Sequence, residues 1–500
     1  MLYFMGVGIV LIFVGNAIMG SSAVEFAGFA LLFGIPILKI ISLFYKGEHN
    51  AEIKEIEKGE RARKKEVPPK GKLNNYELGY SVWNGEIYDE IHDKMLNRMM
   101  AVIGTNGSGK TTTLSTIYNN IIILKNGENN SPLIVVDGKP DRKKIAEYRY
   151  NAEQMGKKFY GFNCENNYSF DFINNGTPTT IKDKLIGLKN DDEWSNDFYK
   201  GRAEVYLQTA VEVIKEAKGY ITIDDLIDCF DFEVLKENVA EEISPKLKKK
   251  LERIKDIDLE QLAGIRDQLI LLSHSDLGEW LSSGAENEFT LNEVIEDNAV
   301  LYFALPGMKY KSFAKVIGKL VVNDLKSILD DYEVAGTIKP VYCMFDEFGV
   351  FAGEQVVDLL NKGRGLGIRC IIGMQSLADI KVAGGAGGNA LLDQVMGNIN
   401  TMLIHTIGDS FTANYLADKI GNMERKKIVK NIDNIGAGSE LGATIQLEET
   451  HIIQPQEMKE LPQGVGFITT TVFDNGLEYD KLRISYYEDF LQSVYDYAPK

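Results

Sequence analysis

Cysteine is scarce in this chain. There are four in 500 residues, Cys164, Cys229, Cys343 and Cys370, and no two of them form a C-x-x-C pair. That argues against a structural zinc site and for a reducing compartment. The five histidines are equally scattered. Positive charge is also short: 55 Lys and Arg against 72 Asp and Glu give a net charge of −17. A protein that coats duplex DNA carries a basic footprint, and none shows at whole-chain level. A ring that grips DNA only in a narrow central channel is not excluded by this. What remains is ordinary for a globular protein, with 44% hydrophobic and 25% charged residues. The length implies two or three domains and ample room for a core.

Charge is absent altogether from Leu2 to Met19, and a second apolar stretch runs from Ala23 to about Phe44 after the break Gly20-Ser21-Ser22. Each approaches the ~20 residues that span a hydrocarbon core. A cleaved signal peptide is the competing reading, but no basic segment precedes the first run and a second run follows at once. Lys39, late in the second stretch, can snorkel to the interface. The loop between the runs carries only Glu25, whereas Lys46, Lys54, Lys58, Arg61, Arg63, Lys64 and Lys65 follow the second. The positive-inside rule then places both ends, and all that follows, in the cytoplasm. His49 to Lys72 reads as a charged stalk. Arg61 to Lys65 either touch anionic lipid or form a solvated linker face.

The stretch Met99 to Asn120 organises the remainder. Gly104-Thr105-Asn106-Gly107-Ser108-Gly109-Lys110-Thr111 fits G-x-x-x-x-G-K-[ST], after an apolar strand and before a helix with Leu114, Ile117 and Ile121 on one face. Strand, glycine loop and helix start are what phosphate binding requires, because backbone N–H groups and the helix dipole converge on an anion. Gly104 to Thr112 are the expected phosphate cradle. Lys110 would reach the β- and γ-phosphates of ATP, and the Thr111 hydroxyl would ligate Mg²⁺.

Further strands are expected at 133–137, ending in Asp137 before Gly138-Lys139-Pro140, and at 159–162, 299–304, 369–374, 401–405 and 464–472. A strand at 341–345 ends in Asp346-Glu347. Alternation with helices predicts an α/β fold with a mostly parallel sheet covered on both faces. From 191 to 284 the helical period takes over. Tyr206, Ala210, Val213 and Ile214 share one face, and Leu262, Ile265, Leu269 and Leu272 another. This predicts an inserted all-α domain over 167–295. It carries the basic run Lys246 to Lys250, either a solvated helix face or a nucleic-acid contact. Asp346, on a strand neighbouring the phosphate-loop strand, is positioned to hold Mg²⁺, and Glu347 to act as general base on the attacking water. Gln375, at the end of the 369–374 strand, could sense the γ-phosphate or place water. Val382 to Asn389 is expected to be a flexible loop.

Taken together, GTNGSGKTT, VVDGK, LYFALP, FDEFG, GRGLGIRCIIGMQS and TMLIHTIGDSFTANYLADKIG, with the N-terminal anchor and the helical insertion opening at Trp194 to Ile214, resemble the type IV coupling proteins. These are hexameric ATPases of conjugative DNA transfer, in the superfamily of FtsK- and HerA-type translocases. The resemblance covers nearly the whole chain. It implies a RecA-like P-loop domain over 76–166 and 296–500, an all-α domain over 167–295, a transmembrane hairpin over 1–45 and a linker over 46–75. It also implies a homo-hexamer with ATP and Mg²⁺ at subunit interfaces, and Arg364 reaching a neighbour's nucleotide. The implied partners are DNA, single-stranded and relaxase-bound, type IV secretion channel proteins and membrane lipid; the implied location is the cytoplasmic membrane. Two departures stand out. Asp-Gly-Lys-Pro replaces the Asp-Pro-Lys-Gly common in relatives, which leaves Lys139 without an assigned role. The outside loop is very short and no long acidic tail follows residue 480. A protein exporter, a segregator of duplex DNA and a silent membrane scaffold are the alternative readings, the last opposed by the presence of Lys110, Thr111, Asp346 and Glu347.

Overall fold

The computed structural model describes residues 44, 48, 51–56, 58, 66–71, 73, 77–88, 95–96, 99–122, 131–164, 168–189, 193–239, 242–281, 287–363, 365–433, 440–471 and 477–484. The expected hairpin up to residue 43 and Arg364 lie outside the described residues. Among the described residues no helix is long and apolar enough to cross a membrane.

The chain divides into two compact units. The larger, 67–422 with 451–500, holds an 11-stranded sheet. In chain order its strands, with two short ones outside it, are β1 (Gly79–Ser81), β2 (Ile87–Tyr88), β3 (Met100–Ile103), β4 (Leu133–Asp137), β5 (Phe159–Phe162), β6 (Ser169–Phe170), β7 (Glu288–Phe289), β8 (Val300–Ala304), β9 (Val341–Asp346), β10 (Ile368–Met374) and β11 (Thr401–Ile404). Beyond β12 (Asn422–Asp433) and β13 (Glu440–His451), which pair with each other elsewhere, β14 (Val465–Thr470) and β15 (Glu478–Ile484) complete it. The order across the sheet is β2-β1-β15-β14-β11-β3-β10-β9-β4-β8-β5. The run from β11 to β5 is parallel throughout. The opposite end, β14, β15, β1 and β2, is antiparallel.

Alternate residues of the parallel strands enter different cores, as a sheet covered on both faces requires. Met100, Val102, Val135 and Tyr302 pack with α1 (Lys110–Ile122) and α2 (Arg142–Gln154). Ala101, Ile103, Val136 and Phe303 pack with α3 (Lys311–Ala335). On α3, Ala314, Ile317, Val321, Leu325 and Ile328 are all buried, and the expected helical stripes Tyr206, Ala210, Val213, Ile214 and Leu262, Ile265, Leu269, Leu272 are buried as well. Between β5 and β8 the chain is mainly helical, with its longest helix at Asp197–Lys218. Its neck is the short parallel pair β6–β7, registered Ser169 to Glu288, so the insertion is not purely helical. Strands of two residues are too short to leave an alternation in sequence. Lys246, Lys248 and Lys249 lie exposed on the helix Pro245–Ile254, while Leu247, Leu251 and Ile254 face inward.

Val382 to Asn389 is not a loop. A helix occupies Leu377–Ala383, and another begins at Gly388. The glycines are there for close approach. A Cβ at Gly388 would stand 2.1 Å from the Lys381 carbonyl oxygen, and one at Gly384 would stand 2.8 Å from the Gly388 Cα.

The smaller unit, 1–66 with 423–450, contains most of β12–β13 and the helical residues 51–56. Lys426 pairs with Glu52 at 2.6 Å and Lys427 with Glu448 at 2.8 Å. The sequence did not announce this strand pair. Glu424, Arg425, Lys426 and Lys427 put charge on both of its faces and erase the alternation that marks a half-buried strand.

Candidate functional site

Register brings the C-terminal ends of the parallel strands to one edge. Ile103 pairs with Met374 and Ile404, and Asp137 pairs with Asp346 and Ala304. Between β3 and α1 lies the phosphate loop. Gly107 (φ 76°) and Gly109 (φ 110°) adopt backbone conformations that a side chain resists. A Cβ at Gly109 would also come within 3.1 Å of the Gly464 Cα. The loop is braced from β11 and β14: Thr105 N–H donates to the Thr406 carbonyl (2.9 Å) and Gly464 N–H to the Ser108 carbonyl (2.9 Å).

His405, next after β11, completes this brace. Its Nδ1 lies 3.0 Å from the Val465 carbonyl oxygen and its Nε2 2.8 Å from the Thr113 hydroxyl. A carbonyl only accepts, so Nδ1 carries the proton and Nε2 accepts from Thr113. Burial chiefly, helped by the nearby Lys110 ammonium, pushes this imidazole down to about 4.

Opposite the loop stand the acids. Asp346 ends β9 and Glu347 follows it in a left-handed conformation (φ 55°), uncommon for any residue but glycine. Lys110 Nζ lies 3.2 Å from Glu347 Oε1 and 3.7 Å from Asp346 Oδ1. Gln375 Nε2 donates to the same Glu347 Oε1 at 2.7 Å. Strand β9 is not adjacent to β3, as the sequence had suggested: β10 lies between them. The gap is bridged because β10 carries Gly373, whose missing Cβ would stand 3.0 Å from Asp346 Oδ1 and 2.9 Å from Leu114.

A second lysine enters from behind. Lys144 Nζ donates to Asp346 Oδ2 at 2.7 Å and to Asp137 Oδ2 at 3.1 Å. The Tyr302 hydroxyl donates to that same Asp137 oxygen, and Lys139 N–H to Asp137 Oδ1 at 2.8 Å. Burial acts against the Lys144 ammonium, but Tyr148, Asp137 and Asp346 outweigh it and hold it above the usual lysine range. Burial likewise acts against the Asp346 carboxylate, yet Lys144, Lys110 and the Glu347 N–H keep it below the usual carboxylate range.

Of the residues marked in sequence, Lys110, Asp346, Glu347 and Gln375 form one cluster. Gly104 to Gly109 curve beside it, and Thr111 and Thr112 stand in the first turn of α1, with Thr111 exposed. Arg364 lies outside the described residues. The set fits a nucleotide with Mg²⁺. The Ser108 hydroxyl is buried with no hydrogen-bond partner, and nothing stands within 4 Å of the position a Gly107 Cβ would take. Sequence reasoning missed His405, Thr113, Tyr302 and Lys144. Asp137 was visible only as a strand-terminal carboxylate, and the lysine inside the site is Lys144, while Lys139 is exposed.

Two family models match the chain: "Helicase HerA, central domain" over residues 86–277, and "TraM recognition site of TraD and TraG" over 340–463. Both halves of the site fall within these spans, the phosphate loop in the first and the acids with Gln375 in the second. One segment of the chain is thus similar to HerA-type helicases and another to the coupling proteins TraD and TraG. Solved structures agree on the fold. The bacterial conjugative coupling protein TrwB, lacking its N-terminal segment, superposes with a TM-score of 0.55 at 13% identity, over 83% of this chain and 91% of that one. TrwB in complex with ADP and Mg²⁺ gives 0.53 at 12% identity, over 85% and 95%. VirB4 of Thermoanaerobacter pseudethanolicus gives 0.50 at 12%, over 84% and 99%. No curated protein matches this chain by sequence comparison.

Proposed function

We propose that this chain is an ATPase that couples hydrolysis to the passage of DNA into a type IV secretion channel. The observation that carries the chemistry is the convergence of Lys110, Asp346, Glu347 and Gln375 beside a glycine cradle with an orphaned Ser108 hydroxyl. Backbone N–H groups of Asn106, Gly107 and Gly109, with Lys110, bind the phosphates, which requires Lys110 to exchange its two carboxylates for phosphate oxygens, while Gly104 and Thr105 anchor the loop to Met374 and Thr406. Thr111 and Asp346 would hold Mg²⁺. When bound, that ion neutralises charge developing on the transferred γ-phosphoryl group. Glu347 accepts the proton of the attacking water, and Gln375, already bonded to Glu347, orients that water. Arg364, between Gly363 and Gly365 ahead of β10, is assigned as a finger reaching the nucleotide of the next subunit in a homo-hexamer.

The organisation that suits this activity is a transmembrane hairpin over 1–45 in the cytoplasmic membrane, a linker over 46–75, a nucleotide domain over 76–166 and 296–500, and a helical domain over 167–295. The hydropathy of 2–19 and 23–44 supports the anchor, and the family supports the ring and a relaxase-bound single strand as substrate. TrwB is described as a plasmid coupling protein and was crystallised with nucleotides, which supports the same reading. The test is ATP turnover by the full-length chain in detergent with single-stranded DNA, duplex DNA or neither. Stimulation by single strands is the expected result. Preference for duplex favours chromosome segregation, no response to either favours protein export, and no turnover at all leaves a scaffold.

A further inference from the structure

Lys144 occupies a position that local rules disfavour. It stands in the first turn of α2, where a cation opposes the helix dipole, with its side chain 7% exposed. Its backbone N–H is taken by the helix cap, donating to Asp141 Oδ1 at 3.2 Å, so the turn that carries it is fixed locally. A lysine survives burial only when paired, so the reason for this one is tertiary. The pairing is specific by atom. Asp346 Oδ2 accepts from Lys144, while Asp346 Oδ1 accepts from the Glu347 N–H at 2.9 Å and faces Lys110. The other partner, Asp137, is fully buried and has both oxygens engaged by the Lys139 N–H, the Tyr302 hydroxyl and Lys144 itself.

We propose that Lys144 is the positioning residue for Asp346: by holding Oδ2 from behind, it presents Oδ1 to the Mg²⁺ of a bound nucleotide. This rests on the nucleotide reading above. A carboxylate free to turn about its terminal torsion could swing an oxygen onto Lys110 and stay there, since that torsion is broad and soft. Lys144 removes that freedom. It does so without cancelling the charge the metal needs, because Asp137 offsets the ammonium and leaves one net negative charge on the triad, carried at Asp346. Bonds of this kind behind a metal ligand typically change metal affinity by ~10–100-fold.

A purely structural lysine would leave the metal dependence alone, and that separates the two roles. The full-length chain in detergent is titrated with a fluorescent ADP analogue, first in EDTA and then with rising Mg²⁺. Lys144→Met leaves the buried Asp137 without a cation and Asp346 with Lys110 alone, and can fail to fold. The double variant Asp137→Asn/Lys144→Met restores the charge count and is the deciding one. The expected result is metal-free affinity within about threefold of the parent, with the Mg²⁺ concentration for half-maximal tightening raised ~10–100-fold. A double variant with the parental Mg²⁺ midpoint overturns the proposal while leaving the nucleotide reading intact. A parent chain whose nucleotide binding ignores Mg²⁺ overturns both.

Discussion

The two walls of the candidate site are built by different means. The phosphate wall, β3, α1 and the brace from β11 and β14, is held by backbone hydrogen bonds, glycines and one neutral histidine. The acid wall, β4, β8 and β9 with α2, is held by buried charge: Lys144 between Asp137 and Asp346, with Tyr302 closing the network. The difference follows from what each wall must do. A cradle for an anion needs N–H groups and room, and any buried negative charge there would oppose the ligand. A metal-binding wall must keep a carboxylate ionised in the interior, which only a paired cation allows.

The contrast can be broken from the acid side with the largest effect. Glu347→Gln keeps the hydrogen bond from Gln375 available but cannot take a proton. Turnover should fall ~10²–10⁴-fold while nucleotide still binds. Steady-state hydrolysis alongside equilibrium binding checks this, and normal turnover removes Glu347 as the base.

The phosphate wall should fail by a different route, acidification. His405 takes up its proton more readily unfolded, near pH 6.5, than folded, near 4. A folded value below the unfolded one means that its contribution is complete above about pH 6.5 and is lost as the pH falls towards 4. The shift corresponds to roughly 3 kcal/mol. Asp346, held below the usual carboxylate range, yields its share only at lower pH, so the two walls separate on the pH axis. Thermal unfolding of the parent and of His405→Gln between pH 7.5 and 4 reads this out. An undiminished drop in the variant assigns the acid sensitivity to other groups.

The smallest of the three effects sharpens the role of glycine. Gly109→Ala places a Cβ against Gly464 at a φ of 110°. It should cost ~1–3 kcal/mol of stability and loosen nucleotide binding, whereas Gly219→Ala, also at positive φ but with open space around it, strains the backbone alone. Equal losses in denaturant melts would show that the brace from β14 is not what makes glycine necessary at 109.

The phosphate loop was legible because its requirement is local. Glycine, lysine and a helix start must be consecutive residues for N–H groups to converge, and β4, β5, β9 and β10 were legible because burial on both faces demands unbroken apolar runs. Lys144 was not legible. A lysine in a helix of mean polar character reads as solvated, and only the packing of α2 over β4 and β9 makes it an interior cation. Gly373 was equally silent, since a glycine in a strand shows no reason for itself until β9 and α1 are seen on either side of it. His405 looked like one more scattered histidine until β14 arrived as its acceptor.

By itself, then, the sequence determined the α/β class, the cradle, the strand-end acids and the helical insertion, because each depends on residues close along the chain or on periodicity. The tertiary structure decided the strand order that puts β10 between cradle and acids, the antiparallel extension to β2, and the lysine that fixes Asp346. Those depend on pairings between residues far apart in the chain, 202 positions for Lys144 and Asp346 and 405 (484 − 79) for Gly79 and Ile484, and no local pattern encodes which distant strand will become a neighbour.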